Sequence, residues 1–256
     1  MGLVSLAEMT WPELERRLGE KPVIFIPCGA TEQHGPHLPL GVDVYLSTSM
    51  AKLVAEKVGG IVAPVLAYGY KSMPKSGGGP FFPGTINLDG TTLIAVVRDI
   101  IREWVRHGVK RLCFLDGHFE NQWFITEGID VAVREIRDPD VKVMRFEYWD
   151  FFNDKTLHAV FPSGDFSSIA LEHAATIETS LMLHFHPELV RKELIPDNPS
   201  VNPPPYDLFP AERGFATKSG ALITAAGATA EKGRIMAEQA AADIVAAVRK
   251  SFEAVA

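Results

Sequence analysis

The stretch PCGATEQHGPHLPLGVD, residues 27–43, decides how the rest of this chain is interpreted. It follows a short apolar run and carries Glu32, His34, His37 and Asp43 among glycines and prolines that restrict the backbone. Glu32 and His34 are two positions apart, so in an extended segment their side chains leave the same face. Carboxylates and imidazoles on a stiff loop are typical of a divalent metal site. The alternative is a polar surface loop whose charges are simply solvated.

A second cluster of the same chemistry follows a later apolar run. The sequence DGHFEN, residues 116–121, places His118 and Glu120 two positions apart, directly after a predicted strand at 111–115. A third polar cluster, Tyr148-Trp149-Asp150, also follows a predicted strand. In a parallel sheet such strand ends lie at one edge, where ligands bind. We therefore expect the clusters to converge, which favours a metal site over a solvated loop.

The order of apolar segments predicts an α/β fold with a mainly parallel sheet that is covered on both faces. The predicted strands are residues 23–26, 61–63, 111–115 and 141–146. The predicted helices are residues 11–18, 47–58, about 89–107, 122–136, 168–186 and 229–252. Residues 195–228 are rich in Pro, Asn and Gly and are expected to wrap the surface or a neighbouring subunit. The predicted 168–186 helix carries Glu172, His173 and Glu178.

Composition excludes several classes of function. The net charge of −7 is spread along the chain without a basic stripe, so no nucleic-acid partner is expected. No apolar stretch approaches the roughly 18 residues of a membrane-spanning helix, so no membrane partner is expected. The two cysteines, Cys28 and Cys113, lie in apolar runs. Without a CxxC pair or an apolar leader, this usage predicts a reducing cytoplasm.

The candidate ligands determine which metals and which chemistry to expect. They are Glu32, His34, Asp43, His118 and Glu120. Nitrogen and oxygen donors without thiolate fit Zn²⁺ or Mn²⁺. The set is large enough for two ions, most simply bridged by Asp43, and a water between them would have its pKa lowered toward about 7. This predicts hydrolysis of an unreactive C–N bond by a metal-bridging hydroxide. Cys28 is the alternative nucleophile, although its position after a buried strand favours packing.

A long stretch without predicted regular structure, residues 65–90, contains KSGGG at 75–79. The glycines match neither a P-loop nor a G-x-G-x-x-G turn. We interpret them as a wall of the site where backbone approaches a ligand, so Ser76, Gly77 and Gly78 are candidate substrate-binding residues. Plain loop flexibility is the alternative.

These motifs resemble those of the creatininase (creatinine amidohydrolase) family. The likeness rests on E-Q-H-G-P-H-L-P-L-x-x-D at 32–43 and G-H-x-E-N at 117–121, and it extends over nearly the whole chain. Further matching segments are residues 68–72, 75–79, 82–85, 88–90, 148–150, 172–173 and 178–180. The resemblance implies one creatininase-like domain over residues 1–256, a three-layer α/β/α sandwich and a homohexamer. It also implies two divalent ions per subunit, Zn²⁺ and/or Mn²⁺, and reversible opening of creatinine to creatine.

The resemblance also assigns roles to residues of this sequence. Glu32, Asp43 and His118 would hold one metal ion. His34, Asp43 and Glu120 would hold the other.

Catalytic and substrate-binding roles follow from the same resemblance. Glu120 would help to manage the proton of the attacking water, and His173 would transfer a proton to the substrate nitrogen. Trp149 would stack on a flat ring of a small-molecule substrate. Glu172 and Phe119 complete the expected substrate-binding residues.

Two departures from the family pattern concern the substrate. Ile169 and Ala170 stand where creatininase carries a Trp-Asp pair, and Phe119 replaces a tyrosine. The expected substrate is therefore creatinine or a close cyclic amide, with a formamide or a small peptide as the alternative within the family. A protein of another class, a non-catalytic α/β binding protein with structural ions, is the remaining alternative.

Overall fold

The structure, a computed structural model that describes residues 4–197 and 206–253, is built around a parallel sheet. Within these residues the sheet has four strands in the order β2-β1-β3-β4. The strands are β1 (Ile24–Cys28), β2 (Ile61–Val62), β3 (Arg111–Asp116) and β4 (Lys142–Glu147). All neighbouring pairs are parallel, as predicted. The central strands are apolar because helices cover both of their faces.

Seven α-helices are described around the sheet in these residues. They are α1 (Trp11–Leu18), α2 (Val42–Val58), α3 (Gly90–Arg106), α4 (Gln122–Ile136), α5 (Asp154–Val160), α6 (Thr176–Phe185) and α7 (Ala230–Glu253).

Side chains of β1 alternate between two cores. Phe25 packs with residues of α2, α6 and α7, whereas Ile24 and Ile26 pack with residues of α3 and α4. This alternation is the period of two that a strand imposes on its side chains. The arrangement confirms the predicted three-layer α/β/α sandwich.

Helix α2 begins earlier than the sequence predicts. The prediction started the helix at Ser47 because Gly35, Pro36, Pro39 and Gly41 indicated a loop, but the helix starts at Val42. Asp43 is thus in the first turn of a helix rather than in a loop. Its side chain is 2% exposed, so the helix fixes a buried carboxylate.

The predicted 168–186 helix is wrong in its first half. A single 3₁₀ turn (Ile169–Leu171) is followed by a break at Ala174, whose φ is +54°, and α6 starts only at Thr176. Alanine gives no sequence signal for a left-handed backbone, because glycine is the usual residue there. The Ile177 N–H donates to Glu172 Oε2 at 2.8 Å, so the Glu172 carboxylate binds the open N-terminus of α6.

Residues 65–90 contain short 3₁₀ turns (Pro74–Ser76 and Gly79–Phe81) but no helix or strand before α3, as predicted. The segment 195–228 has a 3₁₀ turn (Arg213–Phe215) in its described part, and residues 198–205 lie outside the described residues. Among the residues that the structure describes, no helix is long and apolar enough to span a bilayer.

Candidate metal centre

The carboxyl ends of β1 and β3 deliver polar side chains to one buried place. Glu32 and His34 follow β1, His118 follows β3, and Asp43 reaches the same place from α2. Each of these side chains is 4% exposed or less. The convergence that the sequence predicts at one sheet edge therefore brings charged groups together inside the protein.

The first group of candidate ligands is Glu32, Asp43 and His118. His118 Nδ1 lies 3.2 Å from Glu32 Oε2 and 3.1 Å from Asp43 Oδ2. These three side chains are the set that the resemblance assigns to one metal ion.

The second group is His34, Asp43 and Glu178. His34 Nε2 lies 3.0 Å from Asp43 Oδ1 and 3.7 Å from Glu178 Oε1. Asp43 thus has one oxygen in each group. A third possible group joins Glu32 and His34 to His173, whose Nε2 lies 3.9 Å from Glu32 Oε1.

The grouping of candidate ligands differs from the expected one at two glutamates, Glu178 and Glu120. Glu178 belongs to the second group, and sequence reasoning gave it no ligand role. Glu120 is in none of the three groups found among the described residues. Its Oε2 lies 3.4 Å from His118 Nε2, and its Oε1 accepts a hydrogen bond from the Ser76 hydroxyl.

Each imidazole turns one nitrogen toward these groups and the other toward a backbone carbonyl. His34 Nδ1 is 3.1 Å from the backbone carbonyl of Glu32, and His118 Nε2 is 2.9 Å from the backbone carbonyl of Tyr70. A carbonyl only accepts, so each of these nitrogens carries a proton, and in the neutral ring that a metal ion binds the opposite nitrogen has the lone pair. That arrangement, an imidazole oriented through its second N–H, is usual for metal-bound histidine.

Buried atoms without hydrogen bonds also fit a cation. Glu32 Oε1, His34 Nε2 and Asp43 Oδ2 are buried and make no hydrogen bond within the described residues. Buried polar groups are nearly always satisfied, and each unsatisfied one costs roughly 1–3 kcal/mol. Metal coordination would satisfy all of these atoms, so the residues present fit a divalent ion.

The electrostatics of the cluster favour positive charge. Burial by itself lowers the pKa of His34, but Asp43 and Glu178 outweigh it and hold that pKa well above its usual value. Likewise, burial lowers the pKa of His118, and the neighbouring carboxylates of Asp43 and Glu32 raise it well above the usual value. The carboxylates therefore stabilise a cation strongly at this place, and a divalent ion would meet the same demand.

The backbone around His118 is held by a network below the site. The His118 N–H donates to Asp116 Oδ1 at 3.2 Å. Asn121 Nδ2 donates to the same oxygen and to the Gly29 carbonyl, both at 3.1 Å. Asn121 Oδ1 accepts from the Tyr70 N–H at 2.8 Å. These bonds connect the loops after β1 and β3 to the long irregular segment, and so fix the ligands relative to one another.

A cavity opens on the candidate ligands. Apolar side chains form part of its wall, namely Phe119, Trp149, Ile169, Ala170 and Ile177. Ser76, Glu120, Glu172 and His173 supply polar groups to the same cavity. Most of the predicted catalytic and substrate-binding side chains therefore share one space with the ligands.

The two glycines predicted to bind substrate are placed differently from each other. A Cβ on Gly77 would lie 2.8 Å from His173 Nε2 and 3.0 Å from Glu32 Oε1, so its backbone forms a wall of the site. A Cβ on Gly78 would instead meet Ala216 and Phe82. Gly78 thus faces away from the ligand atoms.

Comparison with known proteins agrees with this geometry. Residues 7–248 match the family model of creatininase, described as creatinine amidohydrolase. The chain is 45% identical over 254 residues to creatinine amidohydrolase of Pseudomonas putida, and the alignment covers 97% of each chain. This chain belongs to the creatininase family. Family membership confirms the resemblance seen in its motifs and the expected type of enzyme, a creatininase-like hydrolase.

Solved creatininase structures share the whole fold. A creatininase with Mn superposes with a TM-score of 0.95 at 45% identity, covering 98% of this chain and 99% of its own. A mutant creatininase of Zn-Zn type superposes equally well, with a TM-score of 0.95 at 44% identity and the same coverage. These likenesses confirm the α/β fold of this family member.

Cys28 has the environment of a packed side chain in this creatininase fold. It is buried at the end of β1, and burial raises its thiol pKa well above the usual value. A thiol must ionise to attack, so this environment disfavours a nucleophilic role. Cys113 is likewise free and buried.

Sequence reasoning missed two residues of the site. Glu178 was overlooked because its neighbours predicted a helix with a solvated face, yet α6 buries it against the ligands. Gln33 was overlooked because it is neither ionisable nor a strong ligand, but it contacts His173 directly. Its position between Glu32 and His34 was the available signal.

Proposed function

We propose that this protein is a binuclear-metal-dependent amidohydrolase that opens the cyclic amide of creatinine, or of a close analogue, to the linear product. The observation that carries this proposal is Asp43, whose two carboxylate oxygens belong to two neighbouring groups of candidate ligands. A shared carboxylate is the usual bridge in two-metal hydrolases. The 45% identity to a creatinine amidohydrolase supports the choice of substrate class.

The ligand assignment follows the distances described above. Glu32, Asp43 and His118 would hold one ion, and His34, Asp43 and Glu178 the other. Glu120, which the resemblance places in the second set, would act beside the ions. Zn²⁺ and Mn²⁺ suit these donors. When bound, such a pair of ions lowers the pKa of a water molecule and polarises an amide carbonyl.

Glu120 is proposed to accept the proton that the attacking water loses. Burial raises the pKa of Glu120 to about 7, although His118 acts in the opposite direction. A carboxyl with a pKa near neutrality can both take up and release a proton at working pH. The Ser76 hydroxyl, which donates to Glu120 Oε1, fixes the orientation of the carboxylate.

His173 is proposed to assist the proton transfer to the leaving nitrogen. Ring opening separates the amide nitrogen from its acyl group, so this nitrogen must gain a proton as the C–N bond breaks. His173 lines the cavity beside Glu32, and burial lowers its pKa, which keeps the imidazole neutral. The N–H of a neutral imidazole can donate a hydrogen bond to that nitrogen. The proton transferred is the one that Glu120 takes from the water, because an imidazole that lost its only N–H proton would be left as imidazolate.

Substrate binding is assigned to the remaining cavity wall. Trp149 and Phe119 offer aromatic surface to a flat ring. Glu172 offers a carboxylate whose Oε1 is buried without a hydrogen bond among the described residues. Burial raises the pKa of Glu172 to about 7. Ile169 and Ala170 complete an apolar edge, which leaves room for cyclic amides other than creatinine.

The test is creatinine hydrolysis by protein loaded with Zn²⁺ or Mn²⁺, with bound metal measured by elemental analysis. We expect two ions per chain, turnover of creatinine, and loss of both in His118→Ala. His158→Ala, on an exposed position of α5, is the matched control and should keep both. Protein with fewer than two ions per chain would contradict the binuclear assignment.

A substrate panel separates the alternatives. Creatinine, other lactams, N-formyl amides and short peptides are offered to the same metal-loaded protein. Turnover of formamides or peptides without creatinine would replace the proposed substrate while keeping the chemistry. No turnover of any amide, together with loss of fold on chelation, would identify the ions as structural.

We also propose that the chain assembles into a homohexamer, as its resemblance to the family implies. Large apolar side chains that are exposed in the single chain support assembly, among them Trp11 (76% exposed) and Phe209 (72% exposed). Light scattering after gel filtration should give six times the chain mass of 28.1 kDa. A monomeric mass would contradict it.

A further inference from the structure

The side chain of Gln33 turns away from its ligand neighbours and reaches His173. Gln33 is 5% exposed and uses both ends of its amide. Its Oε1 accepts from the Gly35 N–H at 2.9 Å. Its Nε2 lies 2.6 Å from the Gly77 carbonyl, 3.1 Å from the Gly220 carbonyl and 3.0 Å from His173 Nε2. The two carbonyl contacts are buried, and the contacts with Gly35 and His173 are partly buried.

These contacts fix which way the amide points. The partner of Oε1 is a backbone N–H, which can only donate, and two partners of Nε2 are carbonyls, which can only accept. A flipped amide would place its oxygen against two carbonyl oxygens and its NH₂ against an N–H. The NH₂ end of Gln33 therefore faces His173 Nε2.

The NH₂ group has two hydrogens for these three acceptors, so His173 Nε2 shares one of them with a carbonyl and can do so only through a lone pair. If His173 Nε2 carried a proton, that N–H would point at an NH₂ group that cannot accept it. The neutral ring must then carry its proton on Nδ1. Among the described residues, no group makes a hydrogen bond to His173 Nδ1, so that N–H is available to a molecule in the cavity.

Two glycines allow the amide and the ring to meet. Gly220 has a φ of +84°, and a Cβ there would collide with the Gln33 amide. Gly77 has a φ of +148°, and a Cβ there would lie 2.8 Å from His173 Nε2. Both positions combine a backbone that favours glycine with a close approach. The backbone at these two glycines thus leaves room for the contact between Gln33 and His173, which a larger residue at either position would disturb.

We infer that Gln33 is a positioning residue that holds His173 in the Nδ1–H tautomer and so directs this N–H, as a hydrogen-bond donor, toward the substrate nitrogen. This inference rests on the proposed function for the identity of the group that accepts this hydrogen bond. It also assigns the Nε2 lone pair to Gln33, which removes His173 from the possible ligand group that it forms with Glu32 and His34. A bound ion would compete for the same lone pair.

The first test is a direct measurement on the unmodified protein. Long-range ¹H–¹⁵N correlation spectra of ¹⁵N-histidine-labelled protein loaded with Zn²⁺, which is diamagnetic, report the tautomer of each ring. His173→Gln identifies the signal by its absence. We expect a protonated Nδ1 and an unprotonated Nε2. A protonated Nε2, or an Nε2 shift that appears only on adding Zn²⁺, would overturn the inference.

The second test removes the donor. Gln33→Met keeps the approximate length of the side chain, and Gln239→Met on α7 is the control, since Gln239 also donates to a backbone carbonyl, that of Phe151, at 3.0 Å. For Gln33→Met we expect a mixture of His173 tautomers, a fall in kcat of roughly 100-fold and a KM changed by less than about threefold. The control should keep the His173 spectrum and kcat.

Metal content separates this inference from the proposed function. Gln33→Met should bind as much Zn²⁺ as the control, and a loss of Zn²⁺ would show that Gln33 acts on Glu32 and His34 instead. If the parent protein does not open creatinine, the spectra of the parent still decide the tautomer. If Gln33→Met fails to fold, the same spectra of the unmodified protein decide it alone.

Discussion

His34 Nε2 lies 3.0 Å from Asp43 Oδ1, while the other oxygen of Asp43 lies 3.1 Å from His118 Nδ1. Asp43 can occupy this middle position because α2 starts at Val42 and fixes the carboxylate in its first turn. All three side chains are buried, so solvent does not screen their interaction. A substitution of Asp43 should therefore affect both groups of candidate ligands.

Asp43→Asn should lower the affinity for both metal ions. An amide keeps the size of the side chain but removes the negative charge and one of the two oxygens that face the histidines. Changes in residues that merely support a metal ligand cost 10–100-fold in affinity, so we expect a loss of at least about 100-fold here. Titration of the metal-free variant with Zn²⁺ measures this loss of affinity.

The control for Asp43→Asn is Asp99→Asn, on an exposed position of α3 whose carboxylate contacts Arg98. It should bind Zn²⁺ as the parent does. Retention of one tight site in Asp43→Asn would contradict the bridging role.

Glu178→Gln and Glu120→Gln should have different effects. Glu178 Oε1 lies 3.7 Å from His34 Nε2, so its loss should release about one ion per chain. Glu120 accepts a hydrogen bond from Ser76 and lies outside the ligand groups. Glu120→Gln should therefore retain both ions, but its kcat should be lower by about 100-fold or more.

Elemental analysis and steady-state kinetics of the two purified variants make the comparison. If Glu120→Gln loses an ion and Glu178→Gln does not, the ligand set implied by the family motifs is correct. The assignment from distances would then be wrong.

Gly77→Ala should reduce both stability and activity. The φ of +148° is strained for alanine, and its Cβ would press on His173 and Glu32. Gly108→Ala is the matched control, because Gly108 also has a positive φ, +85°, but a Cβ there meets nothing within 4 Å. We expect both to lose about 1–3 kcal/mol in the free energy of unfolding. We expect a loss of creatinine turnover in Gly77→Ala alone, and equal activities would contradict the close approach.

The pH dependence of stability should include a contribution from Glu147. Burial raises the pKa of Glu147 to about 7 although Arg145 lowers it, whereas the ordinary value is 4.5. Between these values the folded protein holds a proton that the unfolded chain releases, so the stability falls as the pH rises from about 4.5 to about 7. Glu147→Gln cannot titrate and should remove this part of the slope.

Urea unfolding of the parent and of Glu147→Gln at several pH values in this range measures how their free energies of unfolding change. We expect the two changes to differ by about 1 kcal/mol, because the ion pair with Arg145 is partly solvated. Glu127→Gln, exposed on α4, should leave the slope unchanged. A difference that grows toward low pH would contradict the raised pKa.

The sequence predicts most of the fold because local signals agree with tertiary packing. The helix predicted at 122–136 is α4 with the same limits, and the apolar runs give all four strands within one or two residues. The convergence of Glu32, His34, Asp43 and His118 follows from the rule that parallel strands end at one edge. Topology and residue chemistry were sufficient for this part of the site.

The rest depends on contacts between distant segments. The break at Ala174 has no glycine to mark it, and a helical pattern continues through it in the sequence. Glu178 looks like a surface acid along α6, and it is buried only because α2 and α7 pack beside that helix. The role of Gln33 needs the positions of Gly77 and Gly220, which no local pattern reveals.

The candidate ligands lie on segments of the chain that are synthesised at different times. A nascent chain that ends after α4 already carries Glu32, His34, Asp43 and His118, but it lacks Glu178 until α6 has been synthesised. The proposed second position therefore has its full set of ligands only after α6 has been synthesised.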